Sequence, residues 1–182
     1  MTKPASSAAG RTVLDVVVRA PAEASFAALT EWSAQEQWLP GTRVRVTQGD
    51  GASVGSRLEA TVGRGPAAIV DAFVIVDWDP PHRLQVRHEG PVVRGTGCLD
   101  VLELPRGMSR VVWTEERVLP LGAVGRLGWS LARPAWTAGV RRSLRAFARL
   151  VETGVLPSPT APDAPGTEGG QPAVPLGDRE RP

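Results

Sequence analysis

The chain has 182 residues, 42% of them apolar and 22% charged, with a formal net charge of +2. This is about one domain of ordinary globular composition, and so small a charge argues against nucleic acid as a partner. A single cysteine, Cys98, excludes an intrachain disulfide and a thiolate metal cluster.

Residues 1–10 are small and polar and read as a disordered N-terminus without the apolar stretch of a signal peptide. Thr12–Arg19 then alternates, with Leu14, Val16 and Val18 on one face and Asp15 on the other, as a half-buried strand does. Pro21 ends it and opens a short helix in which Phe26 and Leu29 lie one turn apart. A second short helix is expected over Ala34–Leu39, stopped by Pro40-Gly41. Strands follow at Arg43–Gln48, Ser56–Val62, Ala67–Asp77, Arg83–Glu89, Val92–Leu104 and Ser109–Leu119. They are joined by turn sequences such as Asp79-Pro80-Pro81 and Pro105-Arg106-Gly107. Such short connections make an antiparallel meander.

The last element is helical. Val140, Leu144, Phe147 and Val151 form one apolar stripe, and Arg141, Arg145 and Arg149 a separate one. Pro134 is expected to break or bend a helix beginning near Leu121. From residue 155 the chain turns rich in Pro and Gly and carries too little apolar surface to offset its ordering entropy. The expected organisation is therefore one domain over 11–154 and a disordered tail over 155–182. No uninterrupted apolar run approaches the roughly 18–20 residues of a membrane span. The simplest address is the cytoplasm.

Strands followed by a terminal helix imply an α+β domain with the helix across one face of an antiparallel sheet. That order, with APAEASFAALTEWSAQEQWLP, VDWDPPHRLQVRHEG, VVRGTGCLDVLEL and SRVVWTEERVLPLG, resembles the START/polyketide-cyclase (SRPBCC) superfamily over residues 12–153. The resemblance implies the helix-grip fold: a curved antiparallel sheet wrapped around a long C-terminal helix, with two short helices after the first strand. It also implies an apolar cavity between sheet and helix. It implies no shared catalytic set, so function rests on the site.

Two tempting motifs have plain readings. Gly51-Ala52-Ser53-Val54-Gly55 matches a nucleophile elbow but lies between two strands, where an elbow lies between strand and helix; it reads as a hairpin turn. His82, His88 and Cys98 lack familiar ligand spacing, so no metal and no cofactor are expected. The terminal arginine stripe, with no acidic residue from Arg117 to Val151, reads first as a solvated face and second as a weak attraction to anionic lipid.

The tryptophans point to the cavity. Val111, Trp113 and Glu115 share one face of the last strand, which turns Glu115 inward if that face is concave. Leu84, Val86 and His88 share a face, as do Gly95, Gly97, Leu99 and Val101, where the glycines leave room. Trp129 and Trp136 lie on the roofing helix. The candidate lining is Trp113, Val111, Leu99, Val86, Trp129, Trp136, Val140 and Leu144. The acid–base candidates are Glu115, His88 and Arg94, the last as a cation beside Glu115.

Three functions stay open. A binding or carrier module for an apolar lipid or polyketide-like molecule needs only the cavity and is preferred. An aromatic polyketide cyclase or dehydratase needs an acid or base inside it as well, and the absence of tyrosine removes one common cavity acid. An interaction protein without a ligand would use the helix and tail.

Overall fold

The computed structural model describes residues 10–63, 65–91, 93–118 and 122–156, without the side chains of Ala67 and of 122–126. The segments expected to be disordered, 1–10 and 155–182, lie outside these residues except for Gly10, Val155 and Leu156, and the expected strand ends at Val92 and Leu119 lie outside them too.

Among the described residues seven strands follow in the order foreseen: β1 (Arg11–Val18), β2 (Thr42–Gln48), β3 (Arg57–Val62), β4 (Ile69–Asp79), β5 (Arg83–Glu89), β6 (Arg94–Leu104) and β7 (Met108–Arg117). They form one antiparallel curved sheet in the order β1-β7-β6-β5-β4-β3-β2. From β2 to β7 each strand pairs with its chain neighbour, because turns of a few residues permit nothing else. Only β1 is non-local: it pairs with β7, Leu14 opposite Trp113 and Val16 opposite Val111.

The segment that separates β1 from the meander supplies two short helices, α1 (Ala22–Thr30) and α2 (Gln35–Trp38). Phe26 and Leu29 of α1 are both buried, as their one-turn spacing requires. Phe26 meets the edge of Trp78, with ring centroids 5.3 Å apart. Trp78 reaches this face because β4 carries a bulge between Ile75 and Asp77. The extra residue shifts the alternation by one, so Ile75 before it and Trp78 after it both point inward.

The terminal helix α3 (Gly122–Glu152) runs without a break through Pro134. The expected interruption therefore does not end the helix: the proline removes one backbone donor at an exposed position, and the turns on either side carry on. Val140, Leu144, Phe147 and Ala148 are buried, and Arg141, Arg145 and Arg149 face solvent. Phe147 packs on Trp38 of α2 with centroids 5.2 Å apart. Burial of Val140, Leu144 and Phe147 contributes roughly 1.5–3 kcal/mol of transfer free energy each. Gly154, at φ 67°, turns the chain back. The Gly154 N–H donates to Val151 O and the Val155 N–H to Leu150 O, at 3.1 Å each. This closure satisfies two terminal carbonyls. Leu156, two residues past the expected domain end, is buried against the core.

Candidate functional site

Between the concave face of the sheet and α3 lies a cavity of about 630 Å³. Its walls are mainly apolar and aromatic: Trp32, Trp38, Phe73, Leu84, Val86, Leu99, Trp113, Trp136 and Val140. It is open because the middle strand carries glycine where its neighbours carry long side chains. Gly97 of β6 pairs with Val86 on one side and Glu115 on the other, and Gly95 pairs with His88. A Cβ built on Gly97 would stand 3.2 Å from Glu115 Oε1, His88 Nε2 and Val86 Cγ2. The missing side chain thus lets a residue of β5 and a residue of β7 approach each other across β6. Gly95 has a second reason to be glycine. Its φ of 133° is a conformation L-residues rarely adopt, and a Cβ there would meet Glu116 O at 1.9 Å.

Four ionisable side chains gather at this point, one from each of β4 and β5 and two from β7. His88 Nδ1 lies 2.8 Å from Asp71 Oδ2 and 3.1 Å from Oδ1. Its Nε2 lies 3.8 Å from Glu115 Oε2. Arg117 Nε stands 3.7 Å from the same oxygen, while Trp113 Nε1 donates to Glu115 Oε1 at 2.8 Å. Asp71 and Glu115 are two strand positions away from Phe73 and Trp113, so period-two alternation carries each onto the concave face beside its aromatic neighbour.

Burial is the largest influence on each of the three central groups. It pushes Glu115 above its ordinary 4.5, and the charges of His88 and Arg117 and the Trp113 N–H offset this only in part. Burial opposes the imidazolium of His88, but the Asp71 hydrogen bond and the Glu115 charge outweigh it and leave His88 above 6.5. Arg117 is lowered by burial against the pull of Glu115 and Asp71, and as a guanidinium it stays charged.

Arg117 also ties the roof to the sheet. Its guanidinium carbon lies 4.0 Å from the ring centroid of Trp136 and 4.9 Å from that of Trp129. These two residues bring the N-terminal half of α3 over the cavity, while Leu127 and Leu131 on its other side are exposed.

The positions anticipated from the sequence divide into three groups. Trp113, Leu99, Val86, Trp129, Trp136 and Val140 line the cavity. Val111 and Leu144 do not: they share the right faces but sit in the filled core, 0% and 1% exposed. The curved sheet encloses space near one end only and closes on α1, α2 and the C-terminal half of α3 elsewhere. Glu115 and His88 are brought together. Arg94 is not with them; it is exposed at the rim, and its Nε donates to Gly90 O at 3.4 Å. The cation beside Glu115 is Arg117, which follows it by two positions on the same face.

Asp71 and Arg117 were missed, although period two from Phe73 and Glu115 carried the signal. Trp32 and Trp38 were missed too, since their place depends on how the segment 32–38 docks. The Gly51–Gly55 segment is a hairpin turn. Asp50 Oδ1 accepts from the Ala52 N–H and the Ser53 hydroxyl at 2.8 Å and from the Ser56 hydroxyl at 2.9 Å. Cys98 is buried, and burial first, then Asp100, pushes its thiol up to about 11, far from a thiolate nucleophile. His82 is exposed in the turn before β5.

Solved structures share this architecture. The chain is similar to TTHA0849 from Thermus thermophilus at 17% identity and a TM-score of 0.66, over 80% of this chain and 99% of that one. It is similar to the Zhui aromatase/cyclase from Streptomyces sp. R1128 at 15% identity and a TM-score of 0.67, over 84% and 99%. The di-domain ARO/CYC BexL of the BE-7585A biosynthetic pathway aligns at 19% identity and a TM-score of 0.64, over 81% of this chain and 48% of that one. At such identities the likeness establishes the helix-grip fold alone. No curated protein matches the sequence significantly. The family described as polyketide cyclase/dehydrase and lipid transport does match, over residues 10–152. With its curved sheet, terminal helix and intervening cavity, this chain belongs to that polyketide cyclase/dehydrase and lipid transport family.

Proposed function

We propose that this protein binds an apolar small molecule, lipid-like or polyketide-like, in the cavity between sheet and α3. The observation that carries the reading is the cavity itself: about 630 Å³, walled by aromatic and aliphatic side chains, with ionisable groups gathered at one end. That is the volume and character of a site for one small organic molecule. An apolar body gains by leaving water for these walls, and the polar cluster fixes its orientation.

One observation favours chemistry as a second reading. His88 is held through Nδ1 by Asp71, so its Nε2 is aimed at Glu115 across the floor of the cavity. A histidine oriented by a carboxylate, facing a carboxyl group raised by burial, is a pair fit to move protons near neutral pH. Ring closure and dehydration of a polyketide-like chain need that exchange: one group removes a proton next to a carbonyl and another protonates the departing oxygen.

Native mass spectrometry of the purified protein and displacement of a fluorescent apolar dye test the binding reading. Saturable displacement by apolar compounds supports it, and complete failure of a varied panel with the fold intact ends it. Glu115→Gln then separates carrier from enzyme, because it keeps shape and removes the titratable proton. A carrier retains affinity within a few-fold, whereas an enzyme binds but loses turnover.

A further inference from the structure

A second hollow, of about 450 Å³, opens beside the large cavity, and its walls include Trp32, Trp78, Val44, Val46, Glu31 and Asp50. Trp32 and Val44 line both spaces and so stand between them. Separate pieces of chain converge here: the turn after α1, strand β2 with the turn that follows it, and Trp78 of β4, brought inward by the bulge. These parts are fixed to one another. Trp32 Nε1 donates to Gly51 O at 2.9 Å. A Cβ on Gly51 would stand 2.7 Å from Val46 Cγ2 and 3.1 Å from Trp32 Nε1, at a φ of 75°. The bare residue lets the turn close on the indole.

The charged side chains in these walls are Glu31 and Asp50, both acidic. Neither forms an ion pair among the described residues, whereas arginines pair with Glu36, Glu59, Glu89, Asp77 and Asp100 elsewhere. Bonds from neighbouring residues fall on one oxygen of each carboxylate. Asp50 Oδ1 takes the Ala52 N–H and the Ser53 and Ser56 hydroxyls, and Glu31 Oε1 takes the Ser33 N–H and hydroxyl. The other oxygen of each is left for a ligand. The Ala52 N–H first, then the two hydroxyls, hold the Asp50 carboxyl below its ordinary 3.8, so it is ionised at neutral pH. Carboxylates attract a cation, indole faces attract it through the ring quadrupole, and valines accept its methyl groups. We infer that this hollow is a second binding site, separate from the apolar cavity, for a small organic ammonium ion. An anion would meet two like charges. A bare metal ion needs a shell of several oxygen ligands, and no group of three or more metal-ligating side chains occurs among the described residues.

Choline and 3,3-dimethyl-1-butanol, which share a shape and differ by the positive charge, test this by NMR titration of the isotope-labelled full chain at neutral pH. The Trp32 indole N–H, assigned through Trp32→Phe, is the reporter. Choline should shift it saturably and bind roughly tenfold tighter than the neutral alcohol. In the double variant Glu31→Gln, Asp50→Asn, which keeps shape and hydrogen-bond acceptors, the preference should fall to within about twofold. Should that variant not fold, Glu31→Gln alone serves, with the preference reduced about threefold. Glu103→Gln removes one negative charge on β6, away from the hollow, and should leave choline affinity unchanged. No saturable shift by choline overturns the site, as does equal binding of the two compounds. An undiminished preference in the hollow variants, or an equal loss in Glu103→Gln, overturns it too. Displacement by choline of an apolar dye from the large cavity overturns it by placing the cation there, while the cavity reading stands. Failure of the dye to bind, with choline still shifting Trp32, ends the cavity reading and supports this one.

Discussion

Gly97 lies directly opposite Glu115, and the side chain it lacks is the space through which Glu115 and His88 face each other across β6. The polar end of the cavity exists because the strand between its two principal residues is bare at that point. Two glycines of one strand face, Gly95 and Gly97, are nevertheless required for different reasons, and substitution tells them apart. Gly97→Ala needs three side-chain ends to move by a few tenths of an ångström, while stiffening the unfolded chain. Its net effect on stability should stay within about 1 kcal/mol. Gly95→Ala sets a Cβ against a backbone oxygen at a φ that L-residues avoid, and should cost about 3 kcal/mol or more. Urea unfolding of the two variants measures the contrast, and equal midpoints would contradict it.

The helical phase of α3 predicts a second contrast between adjacent positions. Leu144 is 1% exposed, so Leu144→Asp removes a packed side chain and buries a carboxylate. The loss should be about 3 kcal/mol or more, enough to unfold a marginal domain. Arg145 faces solvent, and Arg145→Asp should change stability by no more than about 0.5 kcal/mol. Thermal denaturation of both variants checks the pair.

Stability should depend on pH through His88. Its folded pKa lies above the unfolded 6.5, so between the two values the folded state holds the extra proton. The contribution is fully present below 6.5 and is lost as pH rises through the folded value. Glu115 acts with the same sign from 4.5 upward, because burial favours its protonated form. The denaturation midpoint should therefore fall as pH rises above 6.5, and His88→Gln should flatten that decline. A wild-type midpoint rising over this range would refute the assignment.

Arg117 should fasten the roof. Its guanidinium stacks on Trp136 and Trp129, and a lysine cannot reproduce a planar contact on two rings. In Arg117→Lys, hydrogen exchange should quicken over residues 127–139 and stay unchanged over 140–152, where Val140, Leu144 and Phe147 hold the helix by burial. Uniform acceleration along the whole helix would show that the stacking has no local role.

Local pattern in the sequence was enough for the strands, their antiparallel succession, the buried stripe of α3 and the inward direction of Val86, His88, Leu99, Trp113 and Glu115. Alternation along a strand and periodicity along a helix are properties of a few consecutive residues, and short turns leave no choice of neighbour. Which inward residues meet open space was decided by tertiary structure. Val111 and Trp113 have the same parity on β7, yet one is sealed in the core and the other walls the cavity, because α1, α2 and α3 cover the sheet unevenly. The same holds for the charges. Parity turns Asp71 and Arg117 inward, but only the lateral stacking of four strands sets Asp71 against His88 and Arg117 against Glu115, while Arg94, at the end of β6, stays at the rim. Sequence periodicity specifies a direction for each side chain; the distance between side chains on different strands depends on register, curvature and the missing side chain of Gly97, which no single strand contains.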